Sequence, residues 1–170
     1  NESETIQQLQ SMLAAGQSIA LISDAGTPLI SDPGYKVVRA MRESGYPVEA
    51  IPGPSALTAA LSVAGLPTDR FLFVGFIPTK TQARQREIES WLTETCTIVF
   101  YESPKRIKES LSQLVNILGE NRQVAVAKEL TKTFETVKTG AAKEVLGWLQ
   151  ADEVNASVDI QRFVIPPFTL

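Results

Sequence analysis

The chain has 170 residues, 44% of them hydrophobic and 21% charged, with a formal net charge of −3. That balance fits a soluble globular protein able to bury a core, and no apolar run reaches the roughly 18 residues a membrane span needs. With no histidine and a single cysteine, Cys96, an intrachain disulfide is excluded, a zinc or haem site is not expected, and a reducing, cytoplasmic setting is.

The charge is unevenly spread. Residues 1–69 hold three Lys/Arg against seven Asp/Glu, residues 70–140 hold eleven against eight, and the last thirty hold two against four. A mildly basic middle is compatible with a phosphate-bearing partner, though charge of this kind is more often an ordinary solvated surface. The opening "NESETIQQLQ" has neither a basic n-region nor an apolar h-region, so no secretory signal is expected in it.

In chain order, "ETIQQLQSMLAAG" is an amphipathic helix with Gly16 as its stop, and "SIALIS" (18–23) reads as a buried strand. "YKVVRAMRESG" (35–45) is helical, "VEAIP" (48–52) a short strand, and "GPSALTAALSVAG" (53–65) a small-residue helix with Ser55 at its N-cap. A second series follows: strand "RFLFVGFIP" (70–78), helix "TQARQREIESWL" (81–92), strand "TIVFYE" (97–102). Then come helix "SPKRIKESLSQLVNILG" (103–119), capped by Ser103 with Pro104 at its first position, strand "QVAVAKEL" (123–130), strand "FETVKTG" (134–140) and helix "AAKEVLGWLQ" (141–150). The alternation predicts an α/β protein, with a boundary between two units at residues 65–69 and no fixed-period repeat.

Ligands of open α/β sheets sit beyond the carboxyl ends of strands. At the first such end, "SDAGTPLISDPG" places Gly26 and Gly34 where backbone can approach a ligand, while Pro28 and Pro33 stiffen the loop. The same stretch also reads as a tight strand-to-helix turn. It is neither a phosphate-binding Walker loop nor a dinucleotide fingerprint. The second end, "IPGPSALTAA", puts Ser55 at a helix N-terminus, as a cap or as a ligand contact. The third carries Glu102, Ser103, Lys105 and Arg106; the fourth carries Lys128, Glu129, Thr131 and Lys132. Four decorated strand ends, two in each half, predict a small molecule held between the halves.

Together "SDAGTPLISDPGY", "PGPSALTAALSVAGLPTDRF", "GFIPTK", "FYESPKRI" and "KELTKTFETV" closely resemble the ribosomal RNA small subunit methyltransferase I branch of the tetrapyrrole methylase superfamily, from about residue 1 to residue 153. The resemblance implies a two-domain α/β fold with helices packed on mixed sheets, here as 1–69 (an incomplete first domain), 70–154 and an unaligned tail, 155–170. It implies a homodimer that uses S-adenosylmethionine to methylate the ribose 2′-oxygen of a cytidine in small-subunit rRNA, within the 30S subunit or as RNA. Carried over by position, Asp24, Gly26, Thr27, Pro28, Ile30, Ser55, Ala56, Tyr101, Glu102 and Leu130 would contact the cofactor. Glu102, Lys128 and Glu129 are the candidates to take the hydroxyl proton; Lys80, Arg84, Arg86, Lys105 and Arg106, with Lys108, would meet RNA phosphates. No metal is implied.

Two departures qualify that picture. Relatives carry a further strand and loop before the equivalent of residue 1, and they end in an apolar strand where this chain reads "NASVDIQRFVIPPFTL". Both sheets would then have open edges. Two other readings stand beside the main one: a methyltransferase of the same superfamily acting on a tetrapyrrole or a protein side chain, and a truncated core that catalyses nothing.

Overall fold

The computed structural model describes residues 2–151 and 161–165. The chain divides into two compact units, Asn1–Ser55 and Ala56–Leu170, taken separately here.

The first unit has two helices, α1 (Glu2–Ala14) and α2 (Tyr35–Glu43), each followed within two residues by the glycine expected to stop it. They are tied by Gln10 Nε2 donating to Ser44 Oγ at 2.8 Å and by the Tyr46 hydroxyl reaching the Gln10 carbonyl at 3.5 Å. The strands expected at 18–23 and 48–52 are not formed: neither segment enters a ladder. A strand exists only through hydrogen bonds to a neighbour, and here Ile22 and Ile51 are 84% and 83% exposed. Met41 is the only fully buried side chain among the unit's described residues.

The second unit is a five-stranded mixed sheet ordered β1-β2-β5-β3-β4, built from β1 (Phe71–Phe76), β2 (Thr97–Glu102), β3 (Gln123–Lys128), β4 (Thr136–Ala141) and β5 (Gln161–Ile165). β1 and β2 are parallel; β5 lies antiparallel between β2 and β3, and β4 is antiparallel to β3. The helices are α3 (Ala56–Val63), α4 (Thr81–Ser90), α5 (Ile107–Leu118) and α6 (Ala142–Ala151). Side chains alternate across a strand, and β2 and β3 show it. Ile98, Phe100, Val124, Val126 and Ile165 join Ile88, Trp91, Leu111, Leu114, Val145 and Leu149 in one core cluster. Their neighbours Val99, Ala125, Ala127 and Val164 pack with Ala60, Leu61 and Ala64 of α3 and its end. Helices therefore cover both faces, which is why β2 reads as a continuous apolar run rather than as alternation.

Three expectations are corrected here. The tail supplies the central strand β5, which pairs with both neighbours, so the sheet lacks no closing strand. The unit boundary falls after Ser55 rather than at 65–69, because the small residues of α3 let that helix pack against β5 and the alanines of β3. Regular α5 starts at Ile107, not after Ser103. Residues 104–106 form a turn in which the Ser103 carbonyl accepts from Arg106 N and Ile107 N, each at 3.1 Å. Among the described residues, no helix is long and apolar enough to cross a membrane, and no group of residues is arranged to hold a metal ion.

Candidate functional site

In the first unit the loop over 24–34 meets the Pro-Gly-Pro segment. The Thr27 hydroxyl donates to the Pro54 carbonyl at 2.9 Å. Gly26 has φ +78, and a Cβ there would stand 3.6 Å from the same oxygen; one on Gly53 would stand 3.4 Å from Thr27 Oγ1. Both distances are ordinary van der Waals contact, so it is the positive φ, not lack of space, that favours glycine at Gly26. Leu29 (φ 72) and Ser31 (φ 56) hold left-handed conformations, which cost non-glycine residues free energy and concentrate at working loops. Asp24 is exposed and Ile30 is 44% exposed. Ser55 and Ala56 stand at the start of α3, as the sequence implied.

In the second unit the end of β2 is a closed network. Glu102 is fully buried. Its Oε1 accepts from Ser103 N at 2.7 Å and pairs with Arg106 Nη2 at 2.6 Å; its Oε2 accepts from the Ser110 hydroxyl at 2.6 Å. Arg106 Nε also donates to Ser103 Oγ at 3.2 Å. With its oxygens engaged in this way, Glu102 anchors the turn into α5 and is poorly placed to take a proton. The spacing of Glu102, Arg106 and Ser110, four residues apart each time, was the signal in the sequence that could have revealed this. Tyr101 is buried, its ring edge-on to Phe73 and Phe76 at centroid distances of 4.9 and 5.5 Å.

The end of β3 is different. Lys128 is buried, its ammonium 5.7 Å from the Trp148 ring centre. Glu129 and Thr131 both hold positive φ, 52 and 66, so the chain leaves the strand through a strained turn. Leu130 packs into the cluster beneath α3. The buried Oε1 of Glu129 accepts no hydrogen bond among the described residues and forms a long ion pair with Lys132 Nζ at 3.8 Å.

The basic residues separate by exposure. Arg84 is fully buried, its guanidinium held by Gln113 and Glu109. It fastens α4 to α5 and cannot meet a phosphate, which corrects the expectation for it. Lys80, Arg86 and Lys105 are exposed, and Lys108 is half-buried. Two shallow concavities, of about 550 Å³ beside Asp69, Arg70 and Cys96 and about 410 Å³ beside Thr58, Leu61 and Leu66, contain none of the expected site residues.

A mixed sheet covered by helices on both faces, with a strained turn at the carboxyl end of β3, belongs to the α/β class, whose ligands sit at strand ends. Residues 1–146 match the model of the Tetrapyrrole (Corrin/Porphyrin) Methylases, and the chain belongs to that family. It is 48% identical over 153 residues to the ribosomal RNA small subunit methyltransferase I of Escherichia coli O157:H7, a match covering 90% of this chain and 54% of the relative. The protein of that name from Vibrio cholerae is also 48% identical, over 90% of this chain and 53% of its own length. The chain thus spans about half the length of the curated relatives it matches. The fold is similar to that of the crystal structure of the methyltransferase CobJ, with a TM-score of 0.67 at 16% identity over 95% of this chain and 70% of that one.

Proposed function

We propose that the chain is part of a methyltransferase that transfers a methyl group from S-adenosylmethionine to the ribose 2′-oxygen of a cytidine in small-subunit rRNA. The observation that carries this reading is the 48% identity over 153 residues to relatives named for small-subunit rRNA methylation. On this reading the chain contributes to a two-domain α/β homodimer working in the cytoplasm.

The residues fit the cofactor. The segments joined by Thr27 and Pro54 bring backbone and hydroxyl groups within hydrogen-bonding distance of one another, with Gly26 at a φ of +78 that favours glycine. When bound, S-adenosylmethionine supplies an electrophilic methyl on a positive sulfur. That charge falls in the transition state, so strongly negative neighbours would stabilise the ground state and slow transfer. Of the residues carried over by position, all but Asp24 and Glu102 are uncharged, and the carboxylate of Glu102 is paired with Arg106.

Transfer is an in-line displacement, and holding the reacting atoms in line supplies much of the rate. Thr27, by fixing residues 24–34 to the Pro-Gly-Pro segment, orders loops proposed to hold the cofactor. The ribose hydroxyl must lose a proton. Of Glu102, Lys128 and Glu129, we assign that role to Glu129. Glu102 is engaged by three donors and Lys128 is packed over Trp148, whereas Glu129 Oε1 has an unfilled accepting position. Lys80, Arg86 and Lys105, with Lys108 and the outer edge of Arg106, face the RNA phosphates.

The test has two arms: calorimetric titration of the chain with S-adenosylhomocysteine, and transfer of labelled methyl to small-subunit rRNA, to a tetrapyrrole and to ribosomal protein. Binding at micromolar or tighter, about −8 kcal/mol, with label in rRNA alone is the expected result. Label in a tetrapyrrole or a protein would replace the substrate assignment, and an absence of binding would reject a working cofactor site.

A further inference from the structure

The turn that begins at Glu129 ends in a side chain the site above does not use. Phe134 is 77% exposed, more than any other aromatic ring among the described residues. Nothing about it is loose. The loop is anchored beneath by Leu130, buried in the core cluster under α3, and is cross-tied along its length. Lys132 N donates to the Glu129 carbonyl at 2.9 Å, Glu135 N to the Lys132 carbonyl at 3.1 Å, and the Thr136 hydroxyl to the Phe134 carbonyl at 3.1 Å. The Glu135 carboxylate accepts from Thr131 N at 2.6 Å. The left-handed Glu129 and Thr131 set the course of the chain.

Covering a large apolar ring that the loop already holds in place would be favourable. Its surroundings indicate what would cover it. Residues 131–135 are all exposed, and Phe134 is the one apolar residue among Thr131, Lys132, Thr133 and Glu135. A protein partner would need a contiguous apolar patch of several hundred Å², which this loop does not offer. A single flat ring, with a half-exposed ammonium two residues away and hydroxyls on either side, matches one unstacked base and its phosphate. Single-stranded RNA is recognised by such stacking on aromatic rings with cations along the backbone.

We propose that Phe134 is a stacking platform for an unpaired base of the RNA substrate, with Lys132 meeting an adjacent phosphate. This rests on the reading of the chain as an rRNA methyltransferase and adds a contact which that reading does not contain. Because the loop is already ordered, little entropy is lost when the base docks.

The experiment compares the parent chain with Phe134→Ala and Phe134→Trp. Affinity is read by anisotropy of a fluorescein-labelled single-stranded RNA oligonucleotide, and S-adenosylhomocysteine affinity by calorimetry. Phe134→Ala is expected to weaken RNA binding by between about five- and a hundred-fold and to leave S-adenosylhomocysteine affinity unchanged. Phe134→Trp is expected to retain RNA binding, with its indole fluorescence quenched as RNA is added. If the parent binds RNA and Phe134→Ala binds it equally well, the platform is refuted while the methyltransferase reading stands. Parallel loss of cofactor affinity, or conversion of a dimer to monomers by light scattering, would also refute it, by assigning the ring to the cofactor or to a second copy. A parent chain that binds no RNA would overturn the rRNA reading and this inference with it.

Discussion

The hydroxyl of Thr27 and the carbonyl oxygen of Pro54, 27 residues apart, lie 2.9 Å from one another in a hydrogen bond. Thr27 is half-buried and Pro54 exposed. A bond of this kind contributes about 0.5–1.5 kcal/mol. Thr27→Val keeps the shape and removes the donor. Its expected effect is a fall in S-adenosylhomocysteine affinity of about two- to ten-fold, with Thr27→Ser retaining most of the parent affinity. Equal affinities for Val and parent, by calorimetry, would show that the bridge does not order the site.

Glu102 and Arg106 predict a stability effect instead. Removing one member of a buried ion pair leaves an uncompensated charge, at a cost of roughly 3–5 kcal/mol when burial is complete. Arg106 keeps 21% of its side chain in solvent, so Glu102→Gln is expected to cost less, about 2–3 kcal/mol, measured as a drop in the urea midpoint. Glu102→Gln combined with Arg106→Met should recover part of that loss. Strict additivity of the two substitutions would mean that the pair is not coupled.

Much of the second unit was legible because its periodicities are strong. The strand "TIVFYE" coincides with β2, and the helices at 81–92 and 141–150 shift by two residues or fewer. β5 was not legible: "QRFVI" is five residues long, follows a polar stretch, and becomes a strand only by inserting between β2 and β3. The segments 18–23 and 48–52 failed for the converse reason. Their composition is that of buried strands, but pairing is a property of the neighbour and not of the segment. At the site, residue types revealed where the loops fall but not which groups are already satisfied. Glu102, Glu129 and Arg84 look alike as charges near strand ends or on a polar helix, and only their partners separate an anchor from an available group.

Arg84 and Arg86, two positions apart on α4, are predicted to behave in opposite ways. Arg84 is buried against Glu109 and Gln113; Arg86 is exposed. Arg84→Ala should lower the thermal midpoint and leave the slope of log affinity for RNA against log salt unchanged. Arg86→Ala should leave the midpoint in place and reduce that slope by about one. A lower salt slope in the Arg84 variant, with an unchanged midpoint, would contradict the buried assignment.

Burial pushes the Cys96 thiol above its ordinary pKa, aided by its hydrogen bond to Glu94 and by the charge of that carboxylate, with Arg70 opposing. A thiol raised in the folded state keeps its proton longer than in the unfolded chain. Its contribution to stability is therefore complete below the unfolded pKa and is lost as pH rises through the folded one. Because the thiolate is the nucleophile, the rate of iodoacetamide modification of Cys96 should rise at more alkaline pH in the folded chain than in the unfolded one. Glu94→Gln should move the profile part of the way down, since burial remains. A native-state profile matching that of the urea-unfolded chain would show that the thiol is unperturbed.

The contrast in burial between the units sets an order of opening. Val99, Ala125, Val126 and Val164 are completely buried, in strands bonded on both sides. In the first unit Met41 alone is buried among the described residues, and the backbone of 18–23 and 48–52 has no ladder to protect it. Local opening free energies run from near zero, where few apolar contacts hold the chain, up to the global value in core strands. Native-state hydrogen exchange is thus expected to be fastest at residues 18–23 and 48–52, intermediate in α1 and α2, and limited by global unfolding in β2 and β3. If S-adenosylhomocysteine is held by the loops that Thr27 and Pro54 join, adding it should slow exchange at residues 24–31 and 51–56 and leave β2 and β3 unaffected. Slowing confined to the sheet, with both loops unchanged, would place the cofactor elsewhere.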